Sequence, residues 1–192
     1  MSKSTKIFSS FLILITAFLL VAGAEEKPQP SFQTVFTELT KKIRQSKGDE
    51  REEALQALLK LEKETESPDD LCSIYEIQMQ YDKDKHVYAQ KIIDSGGAND
   101  KQKTLAYTAL VAKCDYSARF MGYYMSETID KQDVASMERE EIRLREELVK
   151  LNSNSVGSLN NLGCANVEAS NGDKAEKSFL KVLAIHEDAC RK

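Results

Sequence analysis

From residue 32 onward, apolar positions recur at three- and four-residue steps. Phe32, Val35, Phe36, Leu39 and Ile43 have the spacing of one buried helix face. Gly48 ends that run. Asp49, with Glu52 three residues on, has the form of a capping box, so a second helix is predicted through Ala54, Leu55, Leu58, Leu59 and Leu61. Ser67-Pro68-Asp69-Asp70 starts a third: a capping serine, a proline whose missing N–H costs nothing there, and acids at the positive end of the helix dipole. Leu71, Ile74, Tyr75 and Gln78 continue it, and after a polar turn at Asp82-Lys83-Asp84-Lys85 a short fourth helix carries Val87, Tyr88, Ile92 and Ile93.

Gly96-Gly97 is the strongest break beyond residue 30. Asn99 and Gln102 are spaced to cap a fifth helix with Leu105, Ala106, Ala109, Leu110 and Ala112, and a sixth is predicted through Tyr116, Phe120, Tyr123, Tyr124 and Ile129. Val134, Met137, Leu144, Leu148 and Leu151 define a seventh, interrupted by Glu141. Val156 to Ala169 and Asp173 to about Ala189 complete the series, the last with a second capping-box pattern at Asp173 and Glu176. No strand pattern competes. The fold expected is all-α: about nine helices of roughly 10–20 residues joined by short turns, hence stacked antiparallel helical hairpins.

The pattern ahead of residue 25 is of another kind. Met1 to Lys6 carries two lysines and no acid, Ile7 to Val21 is almost wholly apolar, Ala22-Gly23-Ala24 places small residues where a signal peptidase reads, and Glu25-Glu26 follow. Basic, apolar, small, then acidic is the order of a secretory leader. Residues 1–24 are therefore read as a cleaved signal peptide with Ala22 and Ala24 at the cut, 25–30 as a polar linker, and 31–192 as the helical domain. The apolar run, about 15–18 residues, is at or below what spans a bilayer; the competing reading is a membrane anchor left uncleaved. No cysteine lies near the cut, as lipid attachment would require. The destination is the periplasm or the cell exterior, and the lack of an N-x-S/T acceptor favours a bacterial envelope.

Composition narrows the partners. Apolar residues make up 41% of the 192 and charged residues 30%, with both signs interspersed, as on a solvated helical surface over a real core. Two of the 27 basic residues, Lys3 and Lys6, lie in the leader, which leaves 25 against 31 acidic ones. Nucleic acid needs a basic face, and none is apparent. Export would put Cys72, Cys114, Cys164 and Cys190 where disulfides persist. Their spacings of 42, 50 and 26 residues match no zinc or redox motif, so two accounts stand: at least one disulfide of unreadable pairing, or four small hydrophobes in a core.

The last third resembles a tetratricopeptide repeat. Leu148 to Ser155 is similar to the end of one repeat and its linker; Asn160-Asn161-Leu162-Gly163, with Ala165, matches the core of the family's first helix. Ala175 follows Leu162 by 13 residues, Phe179 comes four later, then Val182 and Leu183, the family's small, aromatic and closing aliphatic positions. Gly163 and Ala175 would let two helices approach while Leu159, Leu162, Phe179 and Val182 fill the groove between them. Asn166 and Leu159 stand where the family has aromatics, Gly172 falls two residues late, and Glu141 and Arg145 occupy the small and aromatic positions of the preceding unit. The best-matched repeat spans 156–190, and no 34-residue period links it to the hairpins upstream. The resemblance implies a tetratricopeptide-like α-solenoid that binds a protein or peptide. Such a repeat needs a following helix to cover its second helix, so Leu180, Leu183 and Ile185 are expected to stand partly open, for a second copy (a homodimer) or another protein, unless they pack on earlier helices.

Chemistry for turnover is not legible. His86 sits in a charged turn, and His186 with Cys190 one turn on makes two ligands, fewer than a metal site needs. Phosphate loops, paired-histidine zinc helices and a nucleophile elbow do not occur. Neither an enzyme nor a cofactor is expected. Tyr116, Phe120, Tyr123 and Tyr124 form the one aromatic concentration, with Gly122 inside it; it reads either as core or as a groove for an apolar peptide side chain. The function expected is an exported interaction or scaffold module of the cell envelope, touching the membrane only through its leader. A factor secreted to act outside the producing cell is the alternative.

Overall fold

The computed structural model describes residues 30–124 and 131–191, without the side chains at 116, 118–124, 131 and 132. The expected leader with Ala22 and Ala24, the linker up to residue 29, and Ile129 lie outside the described residues. Eight helices are seen there and no strand: α1 (Phe32–Gln45), α2 (Asp49–Glu64), α3 (Pro68–Tyr81), α4 (Lys85–Asp94), α5 (Asp100–Tyr124), α6 (Lys131–Leu151), α7 (Val156–Glu168) and α8 (Gly172–Cys190). No helix among the described residues is long and apolar enough to cross a membrane. Residues from Phe36 onward form one compact unit, which holds α2 to α8 and most of α1.

Nine expected helices become eight because the fifth and sixth are one. Leu105, Ala109, Ala112, Tyr116, Phe120 and Tyr123 continue one three- and four-residue spacing, and no Gly or Pro stands near Lys113-Cys114-Asp115, so helical hydrogen bonding runs through it. Two caps also differ. Gly48 takes φ 59, and its carbonyl accepts the N–H groups of Arg51 and Glu52 at 3.1 Å each, so α2 starts one residue early and Asp49 lies inside it, making no side-chain cap. At α8 the cap residue is Asn171, again without a side-chain cap bond, and Asp173 falls inside the first turn. Other caps follow the spacing. Ser67 Oγ accepts the Asp70 N–H ahead of Pro68, and Asn99 and Gln102 cap each other reciprocally at 3.0 and 3.1 Å.

Within this unit, close packing is between helices adjacent in the chain, and the α2–α3 joint is the sparsest of these. α3 is buried on opposite faces. Cys72 and Met79 join Ala89, Ile92, Ala98 and Ala106 in a cluster shared with α4 and α5, with Tyr75, Tyr88 and Leu110 against it. Ile74, Ile77 and Gln78, about half a turn away at the helical angle, are equally buried. Two contacts show that α2 covers that second face: Gln78 Nε2 donates to Glu62 Oε2 at 2.9 Å, and the Arg51 guanidinium lies 5.2 Å from the Tyr81 ring centre. Val87 and Leu105, read as apolar-face positions, are instead 45% and 37% exposed.

Candidate functional site

The hairpin of α7 and α8 is built from small residues and one ring. Leu159, Leu162, Gly163, Ala165 and Asn166 are buried on α7; Ala175, Ser178 and Val182 are buried on α8, and Phe179 half-buried. A methyl group on Gly163 would stand 2.5 Å from Phe179 Cε1, so the missing side chain is what lets the ring lie on the α7 backbone. Leu162 and Ala165 also pack with Ile142 of α6, and Val149 and Ala169 lie against this cluster. Asn166 is almost fully buried; its Nδ2 donates to the Leu162 carbonyl at 2.9 Å, while its Oδ1 has no partner.

The turn between the two helices is tight. Ser170 has φ 60; its N–H reaches Val167 O at 3.0 Å, and the Asn171 N–H reaches Asn166 O at 2.7 Å. These paired bonds make a Schellman ending with serine in the left-handed position where glycine is usual. Gly172, the glycine that the sequence offers for this turn, is already the first residue of α8.

The outer side of the same hairpin carries apolar side chains in water. Leu180 and Leu183 are 56% and 57% exposed and Val167 57%, whereas Ile185 is half-buried. Tyr116, Phe120, Tyr123 and Tyr124 lie on the second half of α5, and their side chains are outside the description.

Two polar clusters went unread in the sequence. On α6, Glu141 and Arg145 pair at 2.7 Å with side chains only 8% and 16% exposed; a charged i, i+4 pair on an apolar stripe was the available signal. The other joins three helices. Lys91 Nζ lies 2.8 Å from Glu62 Oε1 and 5.0 and 5.2 Å from the ring centres of Tyr75 and Tyr88. Burial, then the Glu62 carboxylate, raises the Tyr75 hydroxyl's pKa above its ordinary value; burial, then Asp82, does so at Tyr88. Glu62 and Lys91 are 29 residues apart, a distance at which no local pattern pairs them.

All four cysteines are free thiols. Only Cys72 is a core residue, with Sγ 2.8 Å from Ser95 Oγ; Cys114 is half-buried, and Cys164 and Cys190 are exposed, which corrects the account of four small hydrophobes in a core. Cys164 is exposed because Gly163 and Ala165, its chain neighbours, take the buried side of α7. Burial, then the carboxylates of Glu140 and Glu141, pushes the Cys114 thiol up. His86 lies half-buried in the first turn of α4, and His186 is exposed. Among the described residues no group of three His, Cys, Asp or Glu side chains could hold a metal ion.

No protein-family model matches the sequence, and no curated protein matches it. The chain is similar to a solved structure described as "MamA RS-1 ArsTM double mutant", at 14% identity over 83% of this chain and 97% of that one, with a TM-score of 0.37.

Proposed function

We propose that this chain is an exported interaction module of the cell envelope that binds a protein or peptide partner through tetratricopeptide-like helical hairpins. The observation that carries the reading is the α7–α8 hairpin, closely packed inside yet presenting Val167, Leu180 and Leu183 to water. Apolar side chains grouped on one hairpin favour burial against another polypeptide. Helices that pack on their chain neighbours leave long lateral surfaces for such a partner. Export is supported by the residue order of the first 26 positions, basic, apolar, small and then acidic.

Affinity capture of the protein from its own cell envelope, with mass spectrometry of what is retained, tests the binding role. A specific polypeptide enriched over a tag-only control is expected; none would remove the reading. Mass measurement of the purified protein tests export. A mature chain beginning at Glu25 in the periplasmic fraction is expected, whereas an intact amino terminus in the cytosol would end that part of the proposal.

A further inference from the structure

α2 meets the helices after it through one flank. Arg51, Ala54, Leu58 and Glu62 recur at three- and four-residue steps and so lie on the same side of the helix. Ala54 and Leu58 are buried, the Arg51 guanidinium lies over the Tyr81 ring at the end of α3, and Glu62 reaches Gln78 of α3 and Lys91 of α4. The joint is sparse, yet what it covers is well formed. Gln78 is buried and gives its Nε2 proton to Glu62 Oε2, and Lys91 is steadied between the Tyr75 and Tyr88 rings while it pairs with Glu62 Oε1. Ile74 and Ile77 complete the buried face of α3.

The connection from α2 to α3 is short and extended. Thr65, Glu66 and Ser67 alone lie between the two helices, and Thr65 and Ser67 have ψ 124 and 121. Pro68 follows, and its ring holds the preceding residue in the extended region. Such a connection runs on as readily as it turns back, because a change of direction is absorbed by a few loop dihedrals.

The seat selects its occupant. If α2 swings away, Ile74, Ile77 and Gln78 lose their cover and Lys91 its carboxylate. The segment that fits them is α2, with a buried leucine one turn before the acid, and a second copy carries the same segment. Exchange between two copies restores every one of these contacts and changes only the dihedrals of the connection. Its cost is that of bringing two chains together, so closed monomers prevail in dilute protein and exchanged dimers grow with concentration. We infer that α2 is an exchangeable arm. In a pair of copies each α2, with the chain ahead of it, lies on α3 and α4 of the other copy, where its Glu62 meets that copy's Gln78 and Lys91. The outer face of α8 takes no part in this pairing.

The test exchanges charges in the whole protein. Glu62→Lys and Lys91→Glu each set like charges at the joint, whether a copy is closed on itself or paired with its own kind. In a mixed pair the introduced lysine meets the introduced glutamate, and native Glu62 meets native Lys91. Sedimentation should show each variant alone dimerising more weakly than the unmodified protein, and an equimolar mixture forming a one-to-one dimer at least about tenfold more tightly than either variant alone. Deleting Glu66 keeps every contact residue but shortens the connection, so that α2 no longer folds back on its own α3. That variant should be dimeric at concentrations where the unmodified protein is monomeric. Circular dichroism should show all variants helical; if the charge variants lose helix, the Glu66 deletion decides alone. A mixture no more dimeric than its components, a Glu66 deletion that stays monomeric, or an unmodified protein monomeric at every concentration reached would overturn the inference. So would a dimer that Leu180→Ser with Leu183→Ser dissociates, because copies would then pair through α8.

Discussion

Ser170 holds φ 60 at the end of α7, where an L side chain crowds the following carbonyl. Glycine removes that conflict but has more backbone freedom to lose on folding, so the two effects partly cancel. Ser170→Gly is expected to stabilise the protein by about 0.5–1 kcal/mol. In thermal unfolding followed by circular dichroism, this is a rise of about 2–4 °C per kcal/mol for a chain of this size. A lowered midpoint would show that the serine makes a compensating contact. The sequence concealed this position: the late Gly172 drew attention to the turn, but which residue takes the left-handed conformation depends on where α7 runs out of partners. Asn166 is comparable. Its polar side chain in place of an aromatic is legible, whereas its burial with an unpaired Oδ1 is a matter of packing.

Helix joints here depend on what a missing side chain would have touched. Gly97 lies against the start of α3, where a Cβ would be 2.5 Å from the Pro68 carbonyl carbon and 2.6 Å from the Asp69 nitrogen. Those are backbone atoms and cannot turn aside, so Gly97→Ala should displace the α4–α5 loop and cost about 1–3 kcal/mol. At Gly163 the obstacle is the Phe179 ring, which can rotate, and alanine gains about 1 kcal/mol of helix propensity. Gly163→Ala is therefore expected to cost clearly less than Gly97→Ala in urea unfolding; the opposite order would mean that the Phe179 ring is held as firmly as backbone. Both glycines stand out in the sequence, one in a Gly-Gly break and one in the repeat-like motif. The same local chemistry forms α5 as one helix, because no Gly or Pro interrupts the hydrogen-bond ladder between Leu105 and Phe120.

Across the whole molecule, packing between chain neighbours makes stability a sum of local terms rather than one shared core. α2 meets α3 sparsely, and Glu62 ties α2 to both α3 and α4, its carboxylate accepting from Gln78 and from Lys91. Removing that carboxylate leaves the Gln78 amide without its acceptor, beside an Oε1 that already has no partner. Glu62→Ala is expected to cost about 1–3 kcal/mol at this joint. Hydrogen exchange should find the α2 amides less protected than those of α3 and α4, and the substitution should widen the gap while leaving α7 and α8 unchanged. A uniform loss of protection from α2 to α8 would show that the helices unfold as one unit.

Local patterns in the sequence were enough for most helices, for the capping at Ser67 and at Asn99 with Gln102, and for the close approach expected at Gly163. All of these are set within a few residues, where apolar period, cap chemistry and the space a side chain occupies act directly. Tertiary structure alone decided where the half-buried Glu62 carboxylate finds its partners and which cysteine enters the core. Those outcomes depend on which helix covers which face, and an apolar stripe reads the same whether a neighbour buries it or leaves it open.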